Sequence, residues 1–138
     1  MNQDKSLDTV EVEIRKGYYE SGALYSEAPY VNGRRHGIEK KYFESGALWW
    51  EAPYKNGWMQ GIVKSYYKSG ALRRETPCVN GETHGIDRRY YKSGALEWEA
   101  PYVNGQKHGI KKCYTKDKAN ILCLLLYDKD QKVASIKI

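Results

Sequence analysis

The chain has little of what builds a thick core. Only 41% of its 138 residues are hydrophobic, and phenylalanine occurs once against 13 tyrosines and 4 tryptophans. A chain this short forms one small domain, and so lean a composition leaves it little interior. Tyrosine tolerates half-exposure because its ring is apolar and its hydroxyl stays wet, so this balance predicts a thin structure. Long apolar runs are absent: Ile121–Tyr127 is far too short to span a bilayer, and the opening MNQDKSLDTV lacks the apolar stretch of a signal peptide. A cytoplasmic location is the expectation that follows. Cysteine is scarce; Cys78, Cys113 and Cys123 form no CxxC pair and leave one over. Reduced, structural thiols are expected, with neither a zinc site nor a disulfide. Helical periodicity is lacking throughout. Acidic residues are the minority, 17 against 23 Lys and Arg, for a formal charge of +6. That charge admits an acidic partner, nucleic acid or an anionic membrane surface, and selects none of them.

What the chain has is a repeat. Gly22, Gly46, Gly70 and Gly94 are 24 residues apart, as are Pro29, Pro53, Pro77 and Pro101. The same interval holds for the Asn-Gly pairs beginning at Asn32, Asn56, Asn80 and Asn104, and for Gly37-Ile38, Gly61-Ile62, Gly85-Ile86 and Gly109-Ile110. A fixed period of this length signals a stacked architecture. Residues 10–115 form the array, 1–9 a polar tail and 116–138 a divergent cap. Each period holds two Gly-containing turns and two short runs rich in aromatic and branched residues, hence two strands. The fold class predicted is all-β: an elongated single-layer antiparallel meander of stacked hairpins, with roughly ten or eleven strands advancing about 10 Å per repeat.

The turns set which side chains share a face. A two-residue Ser45-Gly46 turn would force Ser45 to positive φ, so a three-residue Glu44-Ser45-Gly46 loop is expected. That loop unites Ile38, Lys40 and Tyr42 with Leu48, Trp50, Ala52 and Tyr54, and leaves Phe43, Ala47, Trp49, Glu51 and Pro53 opposite. It gives up an attractive pairing of Lys40 with Glu51. Proline inside each second strand removes a ladder donor, so a bulge or the strand's end is expected there. The cap reads as a hairpin, Ile121–Tyr127 against Lys132–Ile138, or as a short helix over 117–127. Either would turn its apolar side to the open end of the array.

Chemistry is sparse. His36, His84 and His108 share a column with Gln60, but their spacing of about 10 Å forbids a shared metal, and a turn-stabilising hydrogen bond is expected instead. Glu27, Glu51, Glu75 and Glu99 recur without a pocket to raise a pKa, so they read as a solvated charge column. No nucleophile–base pair and no phosphate loop is present, and no cofactor is expected. The basic column Lys16, Lys40, Lys64, Arg88 and Lys112 interleaves with tyrosines, as in proteins that hold single-stranded nucleic acid.

Two columns break the repeat. Positions 25, 49, 73 and 97 read Tyr, Trp, Arg, Glu, and positions 26, 50, 74 and 98 read Ser, Trp, Arg, Trp. Packing between hairpins would select recurring residues, so packing does not select these; the alternatives are drift on a permissive sheet surface and selection by a partner. Trp, Tyr and Arg concentrate binding energy at protein interfaces. The candidate partner-binding residues are therefore Trp49, Trp50, Arg73, Arg74 and Trp98, with Tyr54 and Tyr102, and Trp58 in the loop where other copies carry charged or polar residues.

The frame Tyr-Tyr-x-Ser-Gly-Ala-Leu-x-x-Glu-Ala-Pro-Tyr-x-Asn-Gly-x-x-His-Gly-Ile, over about residues 14–115, resembles the MORN repeat in the variant found in YwqK-like antitoxin proteins. The Ala-Pro pair and the cap stand outside that pattern. The resemblance implies an elongated sheet of hairpins and a non-enzymatic protein-binding role. The partner would be a toxin or target enzyme, met by an antitoxin, immunity or inhibitor protein. Inhibition of a nucleic-acid-processing enzyme or nucleoprotein in a phage conflict, and electrostatic binding of nucleic acid or anionic lipid, are the alternatives. Exposed apolar columns on the tyrosine face also raise a homodimer through that face.

Overall fold

The computed structural model describes residues 9–117 and 120–138, so the polar tail lies, but for Thr9, outside the described residues. Its strands are β1 (Val12–Tyr18), β2 (Leu24–Val31), β3 (Arg34–Arg35), β4 (Gly37–Tyr42), β5 (Leu48–Lys55), β6 (Trp58–Met59), β7 (Gly61–Tyr66) and β8 (Leu72–Val79). They continue as β9 (Glu82–Thr83), β10 (Gly85–Tyr90), β11 (Leu96–Val103), β12 (Gln106–Lys107), β13 (Gly109–Tyr114), β14 (Ile121–Asp128) and β15 (Gln131–Ile136). All belong to one open antiparallel sheet, and no helix occurs among the described residues. The order β1-β2-β4-β5-β7-β8-β10-β11-β13-β14-β15 is a simple meander; β3, β6, β9 and β12 are two-residue stubs, each paired with the long strand before it.

The two turns of each repeat differ in kind. Around Gly46, Phe43 N donates to Ala47 O and Gly46 N to Phe43 O, both at 2.8 Å, with Gly46 at φ 92. This is the three-residue loop with a single left-handed residue. At the other end Asn56 and Gly57 have φ 50 and 88, the two-residue turn whose twist matches the flanking strands. It leads into a stub, after which Gly61 at φ 120 breaks the ladder and drops the chain into β7. That glycine is also required sterically, since a Cβ there would lie 2.9 Å from Pro53 Cγ.

Three expectations need correction. The proline neither bulges nor ends its strand: β2 runs through Pro29 to Val31. The carbonyl of Pro29 accepts from His36 N at 3.0 Å, so the side of the strand missing a donor faces the stub and the kink, where the neighbouring ladder is already interrupted.

The second correction is the register. The loop is as expected and Tyr42 opposes Leu48, but an extra residue, Trp49, then intervenes, so that Lys41 opposes Trp50, Lys40 opposes Glu51 and Ile38 opposes Pro53. The bulge recurs at Tyr25, Arg73 and Glu97. Each shifts everything beyond it by one residue and so exchanges the faces. The pairing of Lys40 with Glu51 is therefore made, and Trp50, Ala52 and Tyr54 leave the face of Ile38, Lys40 and Tyr42.

The third concerns cysteine. Cys113 and Cys123 form a disulfide, and only Cys78, buried, is free among the described residues. Ten residues apart in sequence, the pair is brought into direct opposition by the β13–β14 hairpin. The cap itself is the β14–β15 hairpin, turning at Lys129 and Asp130, both left-handed. It leaves Leu122 (62% exposed), Val133 (55%) and Ile136 (44%) in solvent, so its cover of the open end is incomplete.

The two faces pack differently. On one, the column Ile14, Ile38, Ile62, Ile86 and Ile110 stays between 40% and 52% exposed. On the other, Ala28, Glu39, Ala52, Cys78, Asp87 and Ala100 are all buried, as in a core. Ala28, Ala52 and Ala100 alternate in the middle rows with Glu39 and Asp87, and the flanking rows carry large side chains, such as Trp50 and Tyr54 on either side of Ala52. A single layer thus acquires a roof of aromatic and arginine side chains on this, the tryptophan face.

Candidate binding face

On the isoleucine face the basic column is part of an alternating row. Across successive strands the order is Lys16, Glu27, Lys40, Glu51, Lys64, Glu75, Arg88, Glu99 and Lys112, each opposite the next. Lys40, Lys64 and Arg88 each sit between two carboxylates. The column predicted as a cationic stripe thus alternates with carboxylates, five cations to four, and Arg88 pairs directly with Glu99 at 3.4 Å. The glutamates are also tied between repeats: Tyr42 Oη donates to Glu27 at 2.5 Å, Tyr66 to Glu51 and Tyr90 to Glu75 at 2.7 Å, and Tyr114 to Glu99 at 3.0 Å. Burial, then the carboxylate that each phenol bonds, pushes Tyr42, Tyr66 and Tyr90 up to about 12.

The two ribbon edges are locked in the same way. At the Asn-Gly edge, His36 Nδ1, Gln60 Oε1 and His84 Nδ1 accept from Asn56 N, Asn80 N and Asn104 N of the following turn at 3.3, 2.8 and 3.2 Å. His108 Nδ1 lies 3.3 Å from Asp128 of the cap. At the Ser-Gly edge, Tyr19, Tyr67 and Tyr91 donate to the carbonyls of Tyr42, Tyr90 and Tyr114 at 2.6–2.8 Å. The recurring residues are thus the ones that join each hairpin to the next.

The non-recurring residues gather on the tryptophan face. One row runs Ser26, Lys41, Trp50, Ser65, Arg74, Arg89, Trp98, Cys113 and Cys123. Another holds Tyr30, Tyr54, Cys78 and Tyr102. Cations lie over the rings: Lys41 Nζ is 4.7 Å from the Trp50 ring, Arg74 and Lys111 are 5.4 and 4.6 Å from Trp98, and Arg35 is 5.4 Å from Tyr54.

Strand alternation would put Trp49 behind the sheet from Trp50, but the bulge brings it round. Its ring is 6.2 Å from Phe43 and 6.4 Å from Tyr25. In the fourth copy the equivalent Glu97 lies 3.1 Å from Arg89, which stands opposite Trp98 on the tryptophan face. Arg73 sits 5.8 Å from the Tyr67 ring. Trp58, 62% exposed, is apart from these at the Asn-Gly edge, its ring against Gly81 of the next turn.

The middle row of this face escaped the sequence reading. Asp87 is fully buried, accepting from Arg74 Nε at 3.0 Å, Arg74 Nη2 at 2.5 Å and Thr76 Oγ1 at 2.8 Å. These bonds raise the pKa of Arg74 against the opposing effect of its burial. Glu39, 7% exposed, pairs with Arg35 at 3.1 Å. Burial, then these acids, raises Tyr54 beside Glu39 and Tyr102 beside Asp87. Lys111 in the same column is lowered, by burial first and then by Lys107. A signal was available: positions 15, 39, 63, 87 and 111 read Arg, Glu, Val, Asp, Lys, as irregular as the tryptophan columns.

No group of metal-ligating residues occurs among the described residues. A groove of about 550 Å³ on the isoleucine face is lined by Ile14, Lys16, Glu27, Pro29, Ile38 and Lys40, with no nucleophile beside a base. No curated protein sequence matches the chain. Residues 14–32, 35–56 and 59–80, a little under half of the chain, match the family model of the MORN repeat variant, and MORN repeats are generally protein- or membrane-binding modules.

Proposed function

We propose that this protein is a non-enzymatic binding module that docks a protein partner on its tryptophan face, in the manner of an antitoxin, immunity protein or inhibitor. One observation carries the reading: the chain repeats almost without change on the isoleucine face and varies on the other. Side chains that join hairpin to hairpin must recur, whereas side chains shaped to a single non-repeating partner must not. The varied residues Trp50, Arg74 and Trp98 are also of the right kind, and with the recurring Tyr54 and Tyr102 beside them they offer wide contact of the types that concentrate binding energy. Lys41, Lys107 and Lys111 sit over rings on the same face and favour an acidic surface on a toxin or target enzyme.

Capture of the partner from the native cell tests this. Trp50→Ala and Trp98→Ala should each cut capture severely, while Lys64→Gln in the alternating row of the other face should leave it intact. Equal capture by all three variants would refute the assignment. The same cation–ring pairs support a second reading, an anionic polymer or lipid surface laid along the tryptophan face. It requires affinity that falls steeply with salt. No binding of single-stranded DNA or anionic vesicles at low ionic strength would dismiss it.

A further inference from the structure

We infer that the exposed edge of β1 pairs with the same edge of a second copy, making an isologous dimer with one continuous sheet. Among the described residues β1 pairs only with β2, which leaves its outer backbone groups without a strand partner there, although its counterparts β4, β7, β10 and β13 are each flanked on both sides. It contains no proline. Its apolar side chains are among the most exposed of the chain, with Val12 at 55%, Ile14 at 52% and Tyr18 at 60%. Such an edge is a template for another strand. The opposite edge is protected by a bulge, since Val133 in β15 has no partner between the Leu126–Ala134 and Tyr127–Lys132 pairs.

The sequence of β1 says which strand fits. A two-fold axis normal to the sheet keeps each face continuous, so residues can oppose only residues of the same face. Centred on Arg15, the pairing sets arginine against arginine; centred on Glu13, it sets glutamate against glutamate. Centred on Ile14, it sets Ile14 against Ile14 on the isoleucine face and Glu13 against Arg15 of the other copy, twice, on the tryptophan face. Glu13 and Arg15 now pair with each other along one strand, at 2.9 Å with both side chains more than half exposed, and Arg15 also lies over the Tyr30 ring at 4.0 Å. The edge is thus complementary to itself in one register. Both tryptophan faces would then lie side by side, so a partner with two acidic sites could engage both copies and gain avidity.

Sedimentation equilibrium of the full chain over a wide concentration range tests the pairing. The expected species is a dimer of twice the 16.0 kDa chain. Glu13→Arg or Arg15→Glu alone places like charges opposite each other twice and should weaken the dimer about tenfold or more, and the double exchange should restore it. Both positions are exposed, and unchanged far-UV circular dichroism would confirm that each variant folds. A wild-type monomer throughout would overturn the inference. So would a dimer indifferent to the single exchanges, which would point to the isoleucine and tyrosine columns instead, or a double exchange that fails to restore it.

Discussion

Removing Arg74 should destabilise the protein more than removing the acid it binds. The asymmetry follows from exposure: the Asp87 side chain is 0% exposed and that of Arg74 is 46% exposed. In Arg74→Met the methylene stem still covers Trp98, but a buried carboxylate is left with the Thr76 hydroxyl as its remaining side-chain donor. Breaking a buried pair in this way costs about 3–5 kcal/mol, and the open side of this sheet favours the lower end. In Asp87→Ala the half-exposed guanidinium turns to water, so the loss is nearer that of a charged hydrogen bond, about 1.5–3 kcal/mol. Arg74→Met with Asp87→Val, which copies Val63 of the preceding repeat, should recover most of the difference. Urea unfolding followed by circular dichroism and tryptophan fluorescence would measure all three, with the denaturant slope checked for constancy. If Asp87→Ala proves as costly as Arg74→Met or costlier, the desolvation of Asp87 is not what governs this site.

The inter-repeat bonds make further predictions. His84→Gln should be nearly neutral, because Gln60 accepts the same bond in its own copy, whereas His84→Ala should cost about 0.5–1 kcal/mol in thermal or urea unfolding. The folded-state values of Tyr42, Tyr66 and Tyr90, about 12, lie above the unfolded value near 10. Their contribution is therefore intact below pH 10 and lost as the pH rises through 12, so urea midpoints should fall in that window. Tyr66→Phe should blunt the fall. Reducing the Cys113–Cys123 bond, which closes a ten-residue separation, should cost about 2–3 kcal/mol and raise hydrogen exchange in β14 and β15 before the central repeats.

Much of the fold was legible because repetition averages out local ambiguity. Four copies of Ser-Gly and Asn-Gly at one interval leave few ways to turn the chain, and the loop at Glu44-Ser45-Gly46 follows from the cost of positive φ at serine. The face assignment failed at one residue per repeat. Nothing in Leu48-Trp49-Trp50 announces that Trp49 is unopposed, because a bulge is chosen by the fit of two strands and not by the strand that carries it. Its consequence is large, since a one-residue shift sends Trp50, Ala52 and Tyr54 to the other side. The choice of Trp49, Trp50, Arg73, Arg74 and Trp98 does not depend on the faces, because it rests on their failure to recur, a property independent of register. That same criterion, applied to positions 39, 87 and 111, would have found the buried acids and Lys111.

The sequence alone therefore determined the repeat, its turns, its strands and which residues are free to vary, since each of these is local or periodic. Only the tertiary structure decided what those residues meet. It set glutamates between the lysines of the basic column, it joined Cys113 to Cys123, and it buried Asp87 beneath Arg74. These depend on which strand lies beside which and in what register, and register is fixed by side chains from different repeats packing together.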